Sequence, residues 1–162
     1  MNDLMDLTEL HKVLEDYAKD AEEIYKYQIS LGGKNASRKL IDSVKSWVVV
    51  GEKSYEVTLR LQDYWKYIED GRKPGKFPPV DAILDWILVK PILPRPNDDG
   101  TLQKLRPKSL AFLIGRKIKE EGIDPYPALK ITREELDKIY RQKISDALGK
   151  DVLNYIKKLF GE

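Results

Sequence analysis

The only histidine of the 162-residue sequence, His11, is the residue type best suited to acid–base chemistry near neutral pH. It lies in the amphipathic N-terminal segment, and no cysteine, serine or aspartate is arranged around it as a catalytic partner would be. The sequence contains no phosphate-binding glycine loop, zinc-protease motif or nucleophile elbow. We therefore interpret His11 as a solvated or edge-packed side chain and expect no enzymatic activity.

Acidic residues offer little more for metal or acid–base chemistry. Residues 97–100, Asn-Asp-Asp-Gly, resemble a calcium loop only slightly, because the alternating ligands and the distal bidentate glutamate are missing, and a turn is favoured. The pairs at 69–70 and 120–121 are adjacent in predicted helices, where neighbours do not face each other, so they form no carboxylate dyad. The sequence has no cysteine, which excludes disulfides and thiolate metal sites. No metal or cofactor is expected.

Two clusters of basic residues could contact phosphate groups: Arg72, Lys73 and Lys76 in a predicted loop, and then Lys104, Arg106 and Lys108. Neither cluster is interleaved with aromatic residues, which would be needed to stack on bases. One interpretation is therefore non-specific attraction to passing DNA, and the other is that these are solvated charges on exposed loops.

Charge is distributed unevenly along the chain. The net charge of +2 is too small for a general nucleic-acid-binding protein. Residues 1–31 carry eight acidic and three basic residues, whereas residues 102–162 carry 14 basic and nine acidic ones. These halves could complement each other within one chain or between neighbouring copies. The acidic start is unlike a signal peptide, and no apolar run reaches the roughly 20 residues of a membrane span, so an intracellular protein is expected.

The N-terminal segment predicts one long helix over about residues 3–30, ended by two glycines at 32–33. Apolar and neutral residues recur there at spacings of three and four: Leu7, Leu10, Leu14, Tyr17, Ala21, Ile24, Gln28 and Leu31. Such a seam could pack along another subunit. Alternatively, the helix lies on the sheet of its own chain.

The next segments predict a short helix and then a β-hairpin. Asn35 or Ser37 could cap the helix, which would direct Leu40, Ile41 and Val44 inward. The apolar period then changes to two, with strands at 47–50 and 55–61 joined by the turn at 51–54. The alternation predicts one buried and one wet face.

The remainder of the chain predicts helices at 64–70, 80–89 and 107–121, separated by proline-rich extended segments. A capping box beginning at Thr132 predicts a helix to about Leu148, stopped by Gly149, and a last helix over residues 151–160. The aromatic residues of 64–70 are predicted to be core. We therefore expect a single α+β domain over residues 1–162, in which a long N-terminal helix and several further helices pack on a small antiparallel sheet, the β-hairpin at about 47–61.

Several phrases in residues 36–148 resemble the tail-completion, or neck, proteins of tailed bacteriophages. The first phrase is a predicted helix at 64–71 that begins with Tyr and continues through acidic residues to a Gly. The phrase K.G..PP...I..WI is matched at 73–87, and A..I.RKI..EGI.P.P.L is similar to residues 111–129. Two features depart from the family pattern: Pro127 is followed by Ala128 rather than Phe, and the extension beyond residue 149 is long. Both departures concern the details of docking more than the fold.

The resemblance implies a virion structural protein whose copies form a ring at the neck, between the portal or its adaptors and the tail, around the path of the genome. It implies localisation in the virion after synthesis in the host cytoplasm. The loop of Arg72, Lys73 and Lys76 would then be a docking arm or a DNA-facing rim. Candidate subunit-interface residues are Leu7, Leu14, Phe77, Pro78, Pro125, Tyr126 and Pro127. The alternative function is a small intracellular, non-enzymatic nucleic-acid-binding or regulatory protein.

Overall fold

The computed structural model describes residues 5–33, 39–52, 54–63, 65–89, 100 and 106–161. The described chain combines helices with one two-stranded antiparallel sheet, as predicted. Its elements in chain order are α1 (Thr8–Leu31), α2 (Lys39–Ser43), β1 (Lys45–Val50), β2 (Tyr55–Arg60), α3 (Trp65–Glu69), α4 (Val80–Val89), α5 (Pro107–Glu121) and α6 (Ala128–Phe160).

The two longest helices, α1 and α6, pack side by side and run antiparallel, since Leu10 contacts Asp151 while Gln28 contacts Glu135. Their seam is apolar. A buried cluster of Ala21, Leu136 and Tyr140 fills it, and half-buried Val13, Tyr17, Ile24 and Ile144 pack around that cluster. Among the described elements these two helices share the most extensive packing, so the acidic N-terminal helix and the basic C-terminal half meet within one chain.

The hairpin lies on α1. Its register pairs Val48 with Val57, and Ser46 on the same side of β1 donates its hydroxyl hydrogen bond to the carbonyl oxygen of Ala18 in α1. The main core extends from this contact and consists of Tyr25, Ile29, Leu40, Val44, Ile68 and Ala128. The long N-terminal helix therefore lies on the sheet of its own chain, which was one of the two interpretations of its seam.

Helices α4 and α5 form an arm, defined here as residues 80–89 and 107–121, which has its own apolar cluster. Ile83, Ile87 and Ala111 are buried between the two helices. The base of the arm is held by paired backbone hydrogen bonds of 2.8 Å between Arg72 and Ile123. Gly122 has a positive φ of 81° there, and a Cβ on it would lie 2.3 Å from the carbonyl oxygen of Arg72, so this close approach requires glycine.

Three details of the predicted helices are wrong. Helix α6 continues through Gly149 rather than ending at Leu148 and restarting at 151, because Ala147 and Asp151 on either side are buried against the body, which offsets the cost of about 1 kcal/mol for glycine in a helix. Thr132 is not an N-cap: it is buried one turn inside α6, and its hydroxyl donates to the carbonyl of Ala128 at 2.8 Å. Helix α1 begins at Thr8, and of the residues predicted before it, 5–7 are not helical.

Two side chains predicted to face inward are exposed instead. Leu31 lies at the end of α1, where the packed face has turned away from it, and Tyr67 lies on the outer side of the short helix α3. Trp65 of the same helix is half-buried and packs against the main core, and Ile68 is buried in it, so the aromatic segment contributes to the core through these two residues. Asn35, Ser37 and Tyr64 lie outside the described residues. Within the described part of the chain, no helix is long and apolar enough to cross a membrane.

Candidate assembly surfaces

The cationic loop is held firmly at its backbone and presents its ammonium groups to solvent. Besides the Arg72–Ile123 pairing, the N–H of Gly75 donates to the carbonyl of Lys119 at 2.8 Å, and the Arg72 guanidinium donates to the carbonyl of Lys76 at 3.0 Å. Lys73 and Lys76 are exposed, whereas Arg72 is half-buried. The hydrogen bond to Lys119 brings the end of α5 beside the loop. The loop is therefore a preorganised cationic surface at the base of the arm.

The second basic cluster is only partly described. Arg106 and Lys108 are exposed at the start of α5, and Lys104 lies outside the described residues. Asn97, Asp98 and Asp99 also lie outside them. Among the described residues no group of three or more metal-binding side chains could hold an ion.

Candidate interface residues near the loop are mostly used inside the chain. Pro78 is buried, and the Phe77 ring packs 5.1 Å from the ring of Phe112 and against Gly115. The hydroxyl of Tyr126 donates to the side-chain oxygen of Gln28 at 3.0 Å, which ties the segment before α6 to α1.

The other candidate interface residues differ in exposure. Pro125 and Pro127 on either side of Tyr126 are exposed. Leu7 and Leu14 on the N-terminal segment are half-buried. The exposed prolines are thus the members of the candidate set most accessible to another molecule.

The single histidine is packed at the edge of the hairpin. The His11 ring lies 5.9 Å from the ring of Tyr55, and its Nε2 atom lies 3.6 Å from a carboxylate oxygen of Glu15. Its described contacts are with one aromatic ring and one carboxylate at the edge of the hairpin, and the arrangement fits the edge-packed interpretation.

Carboxylates from distant elements cap both long helices. The two oxygens of Asp151 accept the backbone N–H groups of Glu9 and Leu10 at 3.0 and 2.8 Å, in the first turn of α1. Glu69 does the same for α6, accepting the N–H groups of residues 129 and 130 at 2.9 and 3.1 Å. A carboxylate at a helix N-terminus accepts hydrogen bonds from backbone N–H groups that have no partner within the helix. Its negative charge also interacts favourably with the positive end of the helix dipole. Both contacts are structural, and sequence analysis missed them because the partners are far apart in the chain.

The contacts that each group makes in the fold explain the pKa shifts of three titratable side chains. The Lys26 ammonium, 2.6 Å from Glu22, holds the pKa of that carboxyl below its usual range, and the Ser46 N–H adds to this by donating to the same carboxylate at 3.1 Å. Burial raises the pKa of the Tyr140 phenol, and the hydrogen bond of 2.6 Å to Asp20 raises it further. Burial likewise raises the pKa of Tyr25 in the main core. These groups hold elements together and face no common cavity.

The concave surfaces of the described residues are shallow. An apolar groove of about 230 Å³ lies between α1, β2 and α6, and its only charged lining residue is Arg133. A larger hollow of about 520 Å³ has its described lining on one exposed face of α6, from Glu134 to Gln142. Small-molecule sites usually enclose about 300–1,000 Å³ with convergent polar groups from several elements. Neither concavity has that form.

Among the described residues, exposed apolar side chains form groups of three or more on the arm, the sheet and the end of α6, and others such as Tyr27, Leu31 and Tyr67 are exposed elsewhere. The arm exposes Leu88, Phe112 and Leu113, and the sheet exposes Trp47, Val49 and Val50. The third group lies on the last turns of α6 and consists of Leu148, Val152, Leu153, Ile156, Leu159 and Phe160. Sequence analysis did not identify the α6 group, although the spacing of 148, 152, 156 and 159 is that of one helix face. Contiguous exposed apolar surface usually marks an interaction site.

Comparison of the chain with protein-family models, curated proteins and solved structures finds no match.

Proposed function

We propose that this protein is a structural component of the neck of a tailed bacteriophage, a tail-completion or connector protein that assembles as a ring around the DNA channel. The observation that carries the proposal is the placement of exposed apolar side chains on three separate surfaces of one small chain. A subunit of a closed ring needs two different, complementary surfaces for its neighbours, and a further surface for the proteins above or below it. The resemblance of residues 36–148 to tail-completion proteins supports the choice of assembly.

The arm suits a docking role. Its helices are packed on each other through their own cluster, and its attachment to the body is concentrated at the 71–79 and 122–127 segments. Leu88 and Phe112 are 73% and 60% exposed on its surface, where a neighbouring subunit could cover them. A preformed arm loses little entropy when it binds a neighbouring subunit.

The test is the location and stoichiometry of the protein in purified phage particles. We expect mass spectrometry to detect it at several copies per particle, and negative-stain microscopy of the isolated protein with its portal or tail partners to show rings. A protein that is strictly monomeric and absent from purified particles contradicts the proposal.

The cationic loop favours a second candidate function, nucleic-acid binding by a small intracellular protein. Lys73 and Lys76 lie on a rigid backbone beside Lys119, so three ammonium groups are available to phosphates at one end of α5. Replacing Lys73 and Lys76 by alanine should leave the melting temperature nearly unchanged, because both side chains are exposed. Salt-dependent binding of short DNA that depends on base sequence and is lost in this variant would favour the second candidate; sequence-independent retention of DNA fits a neck protein.

A further inference from the structure

The two helices of the arm run antiparallel, and each uses one face to pack on the other. Gly75, just before α4, donates its N–H to the carbonyl of Lys119 near the end of α5. Further along, Ile83 of α4 lies against Gly115 of α5, and Ala111 is buried in the same contact. Residues half a turn round each helix therefore face away from this contact, so the arm has two outer faces, one on each helix.

The outer face of α4, defined as Asp81, Asp85 and Leu88, is acidic and apolar. The spacings of four and three residues place these side chains on one stripe of the helix, and all three are exposed. Helix α4 carries no basic residue, and neither aspartate has a hydrogen bond or ion pair with another described residue. This stripe therefore combines two carboxylates with a large apolar side chain.

The outer face of α5, defined as Phe112, Leu113, Arg116 and Lys117, is basic and apolar. Phe112 and Leu113 are 60% and 43% exposed, and each cation lies one turn after one of them. Each cation has a glutamate partner in the last turn of α5, at 4.0 and 3.6 Å. All four of these side chains are at least 63% exposed, so the pairs contribute little and can exchange partners. Helix α5 as a whole carries four basic residues and two acidic ones.

The two outer faces match along their length if their helices are again antiparallel. When Leu88 lies beside Phe112, Asp85 is about 4.5 Å further toward the base of the arm, at 1.5 Å per residue. Arg116 is about 6 Å from Phe112 in the same direction, so the carboxylate and the guanidinium lie at nearly the same level. Two α4 faces together would instead gather four carboxylates, and two α5 faces would gather four cations. Charge therefore favours the mixed contact over either symmetric one.

We propose that the outer face of α4 in one copy packs on the outer face of α5 in the next copy. The contact is heterologous, since the two faces are different surfaces, and repetition of it builds a ring or a filament. It continues the antiparallel packing that already joins α4 and α5, so that the arms of successive copies form one layer of helices. The inference rests on the proposed ring function and specifies one of its subunit contacts.

The experiment uses the full chain and single substitutions on each outer face. Leu88→Ser and Asp85→Lys alter the α4 face, and Arg116→Glu alters the α5 face. The controls are Leu31→Ser at the end of α1, where the side chain is 58% exposed, and Asp146→Lys at an exposed position of α6. Circular dichroism and thermal melting first establish that each variant is folded, and light scattering after gel filtration gives the mass of each assembly.

We expect the wild type and both controls to form assemblies of several chains, and each of the three arm variants to be monomeric. A mixture of Leu88→Ser and Arg116→Glu should form a complex of two chains, because the intact α4 face of the second meets the intact α5 face of the first. A mixture of Asp85→Lys and Arg116→Glu should form larger assemblies, because every contact between the two variants again joins an acid and a base.

A monomeric wild type overturns the proposal. So does Asp85→Lys that assembles like the wild type, or a mixture of Asp85→Lys and Arg116→Glu that stays monomeric. Arg116→Glu that assembles normally and loses only binding to DNA would also overturn it, because the α5 face would then serve a nucleic acid.

Failure of this contact and failure of the proposed function give different results. If the mixtures assemble as expected but the protein is absent from phage particles, the neck assignment is wrong and the contact stands. If rings are present in particles and the Asp85→Lys and Arg116→Glu variants still build them, the neck assignment stands and the arm has another role.

Discussion

The buried carboxylate of Asp151 should be a main determinant of how the two long helices are joined. It accepts N–H groups from Glu9 and Leu10 in the first turn of α1, and the residue itself is almost fully buried. Asp151→Ala leaves both donors without this partner. A hydrogen bond to a charged group contributes about 1.5–3 kcal/mol, and loss of an N-cap costs about 0.5–2 kcal/mol. Since the donors are only partly buried and water can replace part of the interaction, we expect a loss of about 2–3 kcal/mol.

The matched control is Asp146→Ala on the same helix. Asp146 is exposed, and its described hydrogen bond is with Gln142 on the same exposed side. Both substitutions gain the higher helix propensity of alanine, so the difference between them isolates the cap. The control should change stability by less than about 0.5 kcal/mol. Asp151→Asn, which keeps an oxygen acceptor without the charge, should fall between the two alanine variants.

Urea unfolding followed by circular dichroism measures the free energies, and thermal melting should show a fall of about 4–12 °C for Asp151→Ala. Amide hydrogen exchange gives the local readout, because the first turn of α1 should lose protection before the seam around Tyr140 does. The reasoning is refuted if Asp151→Ala is no less stable than Asp146→Ala, or if protection at Glu9 and Leu10 is unchanged.

Three further substitutions test the packing. Gly149→Ala should stabilise the protein by about 0.5–1 kcal/mol in urea unfolding, since the added Cβ meets open space and φ is helical; destabilisation would show that α6 is not continuous there. Gly115→Ala should lower the melting temperature and weaken protection in the arm, because its Cβ would lie 2.6 Å from Phe77; an unchanged melting curve would contradict this packing. Glu22→Gln should destabilise at pH 7 relative to Glu23→Gln. The lowered pKa of Glu22 means that its contribution is present above the unfolded pKa of about 4.3 and is lost as pH falls through the folded value, so unfolding curves of the two variants should converge at pH values below that folded pKa.

Helices with strong local signals were predicted to the residue. The bounds of α4 and α5 agree with the sequence-based expectation, because Pro107 suits the first turn of a helix and Gly122 supplies a positive φ after the last. The hairpin was predicted for a similar reason, since the period of two and the turn are both local. The true start of α6 at Ala128 was not predictable in this way, because its cap is Glu69, which accepts the N–H of Leu129, 60 residues later in the chain.

For the candidate surfaces too, the sequence predicts some features and only tertiary contacts determine the others. The cationic loop of Arg72, Lys73 and Lys76 could be located from the sequence, but its rigidity depends on hydrogen bonds to Lys119 and Ile123, which no local pattern predicts. The last turns of α6 were interpreted as an ordinary terminal helix, although the sequence shows apolar residues at the one-face spacing of 148, 152, 156 and 159. Helix α1 begins beside Asp151, and the residues of this face after Asp151 are exposed, which only the folded structure shows.

The sequence by itself determined which segments are helix and strand, the uneven charge of the two halves, and the lack of familiar catalytic motifs, because propensity, periodicity and residue type act over a few neighbouring residues. The tertiary structure decided that α6 is one helix, that both long helices are capped by remote carboxylates, and which apolar side chains stay exposed. These features depend on contacts as distant as Glu9 and Asp151, 142 residues apart, which exist only once the chain has folded.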